Sequence, residues 1–195
     1  MLRRAELSAD PLWQFAQWFG EASEGGQQDP AAMTLATVDR EGAPDARTVS
    51  LKDVDARGFI FTSHYGGPKG RDIEAQPRVA LAFYWPSAGR QVRVVGIAER
   101  LPAAESDRYF EARSPVMRRA LLAMPPSQPI ADRRTLDDAV VGVVGRSGSP
   151  ARPEWGGYVV RPRVMEFWQG QANRLHDRFR YEKEAEGWTL TRLTP

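Results

Sequence analysis

The sequence predicts a mainly β fold with flanking helices: an antiparallel barrel that is closed or nearly closed. Short segments with the two-residue alternation of strands follow one another along much of the chain, and turn residues separate several of them. Few segments have the period of a helix. Many short strands with few helices are typical of a barrel. A chain of 195 residues also suits one domain, so we expect a single domain over residues 1–195.

The first element is a helix at about residues 10–20, because Asp10 can cap it and Pro11 suits its first turn. Apolar or alternating runs then predict strands at 32–38, 47–52, 58–63, 78–85, 91–99, 157–160, 164–168, 175–182 and 188–193. Further helices are predicted at 72–76, 102–113, 116–124 and 136–144. The region at about 114–154 is the least regular, and a loop rich in glycine, serine and proline follows residue 144.

Composition excludes several classes of protein. The 27 basic and 25 acidic residues leave a formal charge of only +2, which predicts no nucleic-acid partner. The absence of cysteine excludes disulfides, iron–sulfur clusters and thiolate metal sites, and with only two histidines we predict no metal site. The apolar runs are too short to span a bilayer and the N-terminus lacks a signal-peptide core, so we expect a cytoplasmic protein with no membrane partner.

The most informative stretch lies near the end of the chain, where Glu166-Phe167-Trp168-Gln169-Gly170 precedes Arg174-Leu175-His176-Asp177-Arg178. An aromatic surface beside two guanidinium groups and an imidazole suits a flat heterocycle that carries an anionic group. On a strand, residues 174, 176 and 178 would share one face, where three cationic groups would repel one another unless an anion joined them. The alternative is a structural network with Asp177 or other carboxylates.

Further cations occur earlier in the chain. Arg47 and Lys52 bracket a predicted strand, where their odd separation places them on opposite faces. They therefore serve two neighbouring sites or need a bulge between them, unless they are simply solvated surface cations. Lys69 lies in a glycine-containing loop before a helix, where free N–H groups favour an anion, although many ordinary turns have this composition.

Other candidate side chains accompany these cations. Gln91 begins a strand and can both donate to and accept from the edge of a polar ring. Tyr109 and Arg113 are four residues apart, so on a helix they would share one face and could bind one phosphate; an ordinary exposed pair is the alternative. Trp168, like most tryptophans, would by default belong to the core, and His64 is interpreted as structural.

Taken together, these residues resemble the pyridoxine/pyridoxamine 5'-phosphate oxidase family. The resemblance runs over about residues 2–195 and depends above all on the closing motif. The other pieces occur in the expected order: residues 47–52, Lys69, Gln91, Tyr109 and Arg113. The resemblance implies a homodimeric FMN-binding split β-barrel whose cofactor sites lie at the subunit interface.

Carried across residue by residue, the resemblance implies FMN contacts at Arg47, Lys52, Thr62, Ser63, Lys69, Gln91, Ser127, Trp168 and Arg178. It also implies that the substrate, a vitamin B6 phosphate ester, is held by Lys52, Tyr109, Arg113, Arg174 and His176, of which Arg174 and His176 are the expected catalytic pair. The chain departs from the family's pattern at three positions: Pro68 replaces a basic residue, Met117 a serine and Pro126 a glutamine.

The implied activity is FMN-dependent oxidation of pyridoxamine or pyridoxine 5'-phosphate to pyridoxal 5'-phosphate, with dioxygen reduced to hydrogen peroxide. Two alternatives stay open. One is a flavin oxidase on the same barrel that acts on another ring, such as a phenazine precursor. The other is a non-catalytic protein that binds FMN or pyridoxal phosphate.

Overall fold

Eight antiparallel strands form one continuous sheet in the computed structural model, which describes residues 1–123, 126–144 and 152–195. Their bounds are β1 (Ala32–Val38), β2 (Pro44–Asp55), β3 (Gly58–His64), β4 (Arg78–Trp85), β5 (Arg90–Arg100), β6 (Trp155–Gln169), β7 (Asp177–Lys183) and β8 (Trp188–Leu193). The order is β3-β2-β1-β4-β5-β6, and β6 also pairs with β3, so these strands close into a barrel. Strands β7 and β8 extend the sheet from β6. The predicted antiparallel barrel is confirmed.

Strand β6 has two halves with different partners. Residues 155–160 pair with β3 and residues 164–169 pair with β7, while β5 runs beside nearly the whole strand. The register against β5 shifts where Gly96 pairs with Pro162. Proline has no N–H to donate, so an irregularity of this kind is where a sheet tolerates it. The strands predicted at 157–160 and 164–168 are therefore one strand, because the register shift accommodates the proline between them.

Five α-helices flank the sheet in the described part of the chain: α1 (Pro11–Glu24), α2 (Pro68–Ala75), α3 (Ala103–Glu111), α4 (Pro115–Ala120) and α5 (Arg133–Val144). As predicted, the Asp10 carboxylate caps α1 by accepting the Leu12 N–H at 2.9 Å, and proline occupies the first turn. The helix continues beyond the expected residue 20 to Glu24. None of these helices has the length and apolar character that crossing a bilayer requires.

The barrel interior is filled by apolar side chains that alternate with outward-facing ones along each strand. Phe83, Val92 and Phe167 lie opposite one another on β4, β5 and β6 and are fully buried. Helix α1 adds Phe15, whose ring centroid lies 4.8 Å from that of Phe83. Each such side chain stabilises the fold by roughly 1.5–3 kcal/mol on burial. The residues one position away on the same strands consequently face outward.

Several boundaries differ from the prediction and move site residues. Strand β7 begins at Asp177 rather than at residue 175, so Arg174 and His176 lie in the preceding loop. Helix α3 ends at Glu111, which leaves Arg113 just beyond its C-terminus rather than inside a helix. Of the helix predicted at 116–124, the structure retains only α4, and residue 124 lies outside the described residues, as does the loop at 145–151.

Two helical glycines test how tightly α2 packs against the barrel. A methyl group at Gly70 would lie 2.0 Å from the Tyr65 backbone oxygen, whereas one at Gly20 in α1 would have nothing within 4 Å. Both substitutions by alanine gain helix propensity, so the difference between them isolates packing. We expect Gly20→Ala to raise the free energy of unfolding by about 0.5–1 kcal/mol. Gly70→Ala should lower it by about 1–3 kcal/mol, measured by urea denaturation; equal effects would contradict the close approach.

Candidate functional site

Three cations lie at the end of the barrel where β3 ends and α2 begins. We call Arg47, Lys69 and Arg113 the cation cluster. His64, the last residue of β3, lies near two of its members, since the positive charges of both Lys69 and Arg113 act on its imidazole. Lys69 in turn lies near Arg47. The fold therefore assembles residues that are far apart in sequence into one positively charged region.

Lys69 is a partly buried cation in the first turn of α2. Burial, followed by the nearby positive charge of Arg47, lowers the pKa of its ammonium group. Among the described residues, no carboxylate oxygen lies within 4.0 Å of its nitrogen. A desolvated cation beside a second cation is unfavourable until an anion joins them, so this position favours a negatively charged ligand.

Arg47 is held on the interior side of β2 by the β1 strand and α2. It lies opposite the buried Leu35, donates to Thr37 Oγ1 at 2.7 Å and lies 3.6 Å from Asp72 Oδ2. It also pairs with Asp45. Its guanidinium is thus fixed by neighbours on three elements. This fixed position, next to Lys69, makes it suitable for binding an anion in one orientation.

Arg113 completes the cluster from beyond the end of α3. Its guanidinium donates to Thr62 Oγ1 at 3.3 Å and lies over the Trp155 ring, 4.7 Å from the centroid. Burial lowers the pKa of this guanidinium, as expected for a charge removed from water. Ser63, next to Thr62 on β3, is buried. The predicted site residues Thr62, Ser63 and Arg113 are therefore brought together with Lys69.

Lys52 and Tyr109 lie on the adjoining surface. The register of β2 against β3 shifts between Leu51 and Asp53, so Lys52 is the extra residue of a bulge. It is exposed, lies 3.4 Å from Ser50 Oγ, and does not share the interior side of the strand with Arg47. Tyr109 packs against the cluster of buried residues around Ile60. Burial, then the charges of nearby aspartates, raises the pKa of its hydroxyl, so it is a neutral donor.

A second set of predicted residues forms a row on the outer face of the sheet. Gln91 on β5 pairs with Trp168 on β6, which pairs with Arg178 on β7, and we call these three the outer row. Glu166 accepts two bonds from Arg178, at 3.0 Å from Nε and 2.9 Å from Nη2. Trp168 is partly buried rather than a core residue, contrary to the default expectation for tryptophan. An aromatic ring between an amide and a guanidinium can contact one edge of a planar polar ligand.

Arg174 and His176 lie in the loop between β6 and β7, next to the outer row, and we call this loop (residues 170–176) the outer-row loop. The prediction that they share a strand face with Arg178 is wrong, because the chain turns here: Arg174 has φ 63°, and its N–H donates to the Gln171 oxygen at 3.1 Å. His176 instead lies against Trp168, with ring centroids 4.8 Å apart. Arg174 is exposed. A left-handed arginine is costly and such strain often occurs at functional sites.

The cation cluster and the outer-row loop lie at opposite ends of β6. His64 pairs with Trp155 at the start of this strand, whereas Gln169 at its end pairs with Asp177. A strand of 15 residues has a contour length of roughly 45–50 Å at about 3.3 Å per residue. One protomer therefore carries two separate groups of candidate site residues, which the resemblance places around one ligand pair at the interface of two subunits.

The remaining predicted positions lie near the cation cluster. A methyl group at Gly67 would lie 3.4 Å from Pro126 Cγ, so Pro126 lies close to the residue that precedes α2. Ser127 follows it with φ 57°. Pro126 and His64 also line a cavity of about 380 Å³. A larger groove of about 790 Å³ lies elsewhere, beside Arg161 and Trp188, and no predicted site residue lines it.

His64 lies beside the cation cluster, whereas the sequence interpretation treated it as structural. Burial, then the charges of Lys69 and Arg113, lowers the pKa of its imidazole. The only signal in the sequence was its position directly after Ser63 and before the glycine loop. The structure places it beside two cations that would share an anion.

Comparison with known proteins identifies the family of this chain. Residues 20–144 match the family model described as pyridoxamine 5'-phosphate oxidase. The chain belongs to this family. Residues 155–195 match a second model, described as the pyridoxine 5'-phosphate oxidase C-terminal dimerisation region. Trp168, Arg178 and the loop that carries Arg174 and His176 lie within this second region, whereas Gln91 and the cation cluster lie within the first.

Relatives within the family cover almost the whole chain. The pyridoxine/pyridoxamine 5'-phosphate oxidase of Rubrobacter xylanophilus is 48% identical over 189 residues, 95% of this chain and 87% of the relative. That of Ralstonia pickettii is 46% identical over 194 residues, 98% of this chain and 92% of the relative. The crystal structure of PhzG from Burkholderia lata 383, in complex with tetrahydrophenazine-1-carboxylic acid, matches with a TM-score of 0.93 at 29% identity, covering 100% of this chain and 98% of PhzG.

The lowered pKa of His64 predicts a pH dependence of stability. Its imidazole takes up a proton near pH 6.5 in the unfolded chain but only at lower pH in the folded protein. Lowering the pH below about 6.5 therefore favours the unfolded chain. In His64→Asn this contribution is absent, so urea denaturation in phosphate-free buffer should show a smaller loss of stability between about pH 6.5 and 5. Identical losses in the two proteins would show that the imidazole is not held neutral.

Proposed function

We propose that this protein is an FMN-dependent oxidase that converts pyridoxamine or pyridoxine 5'-phosphate to pyridoxal 5'-phosphate. With pyridoxine 5'-phosphate, the alcohol loses two electrons and two protons, which dioxygen accepts to give hydrogen peroxide. With pyridoxamine 5'-phosphate, water also enters and ammonia leaves. Support comes from full-length relatives at 44–48% identity that carry this activity in their names.

The observation that carries the proposal is the separation of the two groups of site residues within one chain. A ligand pair that uses both groups needs two protomers, with the cation cluster from one and the outer-row loop from the other. A two-fold dimer meets this requirement, because each protomer then gives one group to each of two equal sites. The match of residues 155–195 to a dimerisation region supports this assembly.

The residues present suit FMN as the cofactor. Arg47 and Lys69, with the hydroxyls of Thr62 and Ser63, offer cations and donors to a phosphate, and Lys69 has no counter-ion of its own among the described residues. Gln91, Trp168 and Arg178 of the partner protomer would lie against the ring system, and we place Ser127 among the contacts as well. When bound, FMN supplies the redox chemistry, by taking electrons from the substrate and passing them to dioxygen.

The substrate is held by charged and polar side chains from both groups. We assign its phosphate to Lys52, Tyr109 and Arg113, since the first and last are cations and the neutral tyrosine hydroxyl is a donor. Arg174 and His176 orient the pyridine ring and its polar substituents. The role of the protein is to hold the reacting carbon in one position while its ring stacks beside the cofactor.

At two of the three positions where the chain departs from the family's pattern, the local structure tolerates the residue that is present. Pro68 occupies the first turn of α2, where a backbone N–H has no partner within the helix. The missing N–H therefore does not weaken the helix, and it removes only one donor that could have bound the phosphate of FMN. Met117 is exposed on α4, and Ser114 three residues earlier already accepts its N–H at 3.3 Å. Pro126 lies beside Gly67, as described above.

An oxidase for a phenazine precursor is the alternative that one comparison favours, because PhzG matches over the full chain. Its 29% identity is well below the 48% of the Rubrobacter xylanophilus relative, and we therefore place the vitamin B6 ester first. Oxygen consumption with pyridoxine 5'-phosphate, pyridoxine and an unphosphorylated dihydrophenazine would separate the two. A non-catalytic carrier would consume oxygen with none of them.

The direct test is an anaerobic absorbance measurement on the purified protein. Pyridoxamine 5'-phosphate should bleach the flavin band, and a colourless protein that takes up no FMN would contradict the proposal.

Arg174→Met should bind FMN normally but lower kcat/KM by about 10- to 100-fold, because the ring loses an orienting contact. Arg163→Met, at an exposed arginine in the groove remote from the site, is the matched control. Unchanged turnover in Arg174→Met would remove this residue from the site.

Subunit complementation tests the shared site. Lys69→Met damages the cation cluster and Arg174→Met damages the outer-row loop, so each homodimer should have low activity. A heterodimer, isolated through two different affinity tags, has one site with both groups intact and should recover about half of the wild-type activity. Failure to exceed the two homodimers would show that each site is built within one protomer.

A further inference from the structure

We propose that Asp177 is a positioning residue that fixes the imidazole of His176 through Gln171. Asp177 is the first residue of β7, and only 1% of its surface is exposed. It follows His176 in the chain, but its carboxylate bonds to Leu2, Gln171 and Arg192 rather than to Arg174 or His176. The link of Asp177 to catalysis rests on the proposed function. The hydrogen bonds that connect Asp177 to His176 through Gln171 do not depend on which substrate is bound.

The Asp177 carboxylate is a buried acceptor for three donors from different parts of the chain. Its Oδ2 accepts the Leu2 N–H at 2.9 Å and Gln171 Nε2 at 2.8 Å, and its Oδ1 accepts a bond from Arg192. Burial opposes its ionisation, but the Leu2 bond, the Arg192 charge and the Gln171 bond outweigh burial and lower its pKa. The carboxylate is therefore charged at neutral pH and holds these groups in place.

Gln171 transmits this constraint to the histidine ring. Its side chain binds Asp177, while its backbone N–H donates to His176 Nδ1 at 3.1 Å. A backbone N–H can only donate, so Nδ1 must carry a lone pair and the proton of the neutral ring must be on Nε2. The Trp168 ring contacts the same imidazole. The ring is thus restrained in its tautomer by Gln171 and in its orientation by Trp168.

The same glutamine also fixes the turn that carries Arg174. Its carbonyl oxygen accepts the Arg174 N–H at 3.1 Å, in the turn where Arg174 has its left-handed φ of 63°. A conformation of this kind persists only where surrounding contacts determine it. Asp177 therefore supports both residues that we assign to the pyridine ring, through a single neighbour. A purely structural network would hold the strand end and the N-terminal segment without affecting the histidine tautomer.

The tautomer of His176 can be measured without any assay of activity. The chain has only two histidines, so His64→Asn leaves one imidazole, and its ring ¹⁵N shifts report the tautomer directly. In this background we expect the Nε2–H form to dominate, and Asp177→Asn to convert it to a mixture of both forms. Asparagine keeps the shape of the side chain but turns one acceptor into a donor. An unchanged tautomer in Asp177→Asn would overturn the proposal.

Kinetics on the FMN-loaded protein then ask whether Asp177 acts through Gln171. Asp177→Asn and Gln171→Ala should each lower kcat for pyridoxamine 5'-phosphate about tenfold, with FMN content unchanged. The double variant should be no slower than the slower single variant, because both changes break one link. If the two losses in kcat multiply, the residues act separately, and the proposal that Asp177 acts through Gln171 is wrong. Val94→Ala, a buried site on β5, weakens the core without touching the loop and should keep its kcat.

Two further outcomes keep the test decisive. If Asp177→Asn does not fold, Gln171→Ala still removes the link while leaving the bonds of Asp177 to Leu2 and Arg192, and an unchanged His176 tautomer in that variant overturns the proposal. If the wild-type protein oxidises no vitamin B6 ester, the proposed function fails. The ¹⁵N measurement nevertheless decides the role of Asp177, since it needs no turnover.

Discussion

The continuous pairing of β6 is the constraint on which the rest of this structure depends. Its first half closes the barrel against β3, and its second half carries β7 and β8. Because one strand serves both purposes, the distance between its ends is set by backbone hydrogen bonds and not by flexible loops. That fixed distance keeps the cation cluster away from the outer-row loop, so the site that we propose requires two protomers.

Electrostatics determines what the barrel end can bind. Arg47 is partly neutralised by Asp45 and Asp72, whereas Lys69 and Arg113 are partly buried without a carboxylate partner among the described residues. Removing these charges from water costs stability, and a bound anion would offset that cost. A site of this kind is specific for negatively charged groups, because a neutral ligand would leave both penalties in place.

Local patterns predicted most of the barrel but not the long-range contacts of the site. The alternation in β1 and β8 gave bounds that the structure reproduces, because strands with one buried face have a two-residue period. The odd spacing of Arg47 and Lys52 indicated either a bulge or two sites, and the register shift at Lys52 shows that a bulge is present. The loop at Arg174 could not be predicted, because it depends on Asp177 and Asp177 depends on Leu2, which is 175 residues away in sequence. Likewise, nothing local to His64 indicates that the segment after α3 brings Arg113 beside it.

Splitting a binding site between the two ends of a strand ties ligand retention to self-association. A lone protomer would offer the phosphate a cluster of cations but no aromatic surface for the attached ring, so its affinity for the whole cofactor would be low. By mass action, dilution that separates the protomers would then also release the coloured ligand, and excess ligand would draw protomers together. On the proposed function, the amount of flavin bound would accordingly depend on the concentration of the protein.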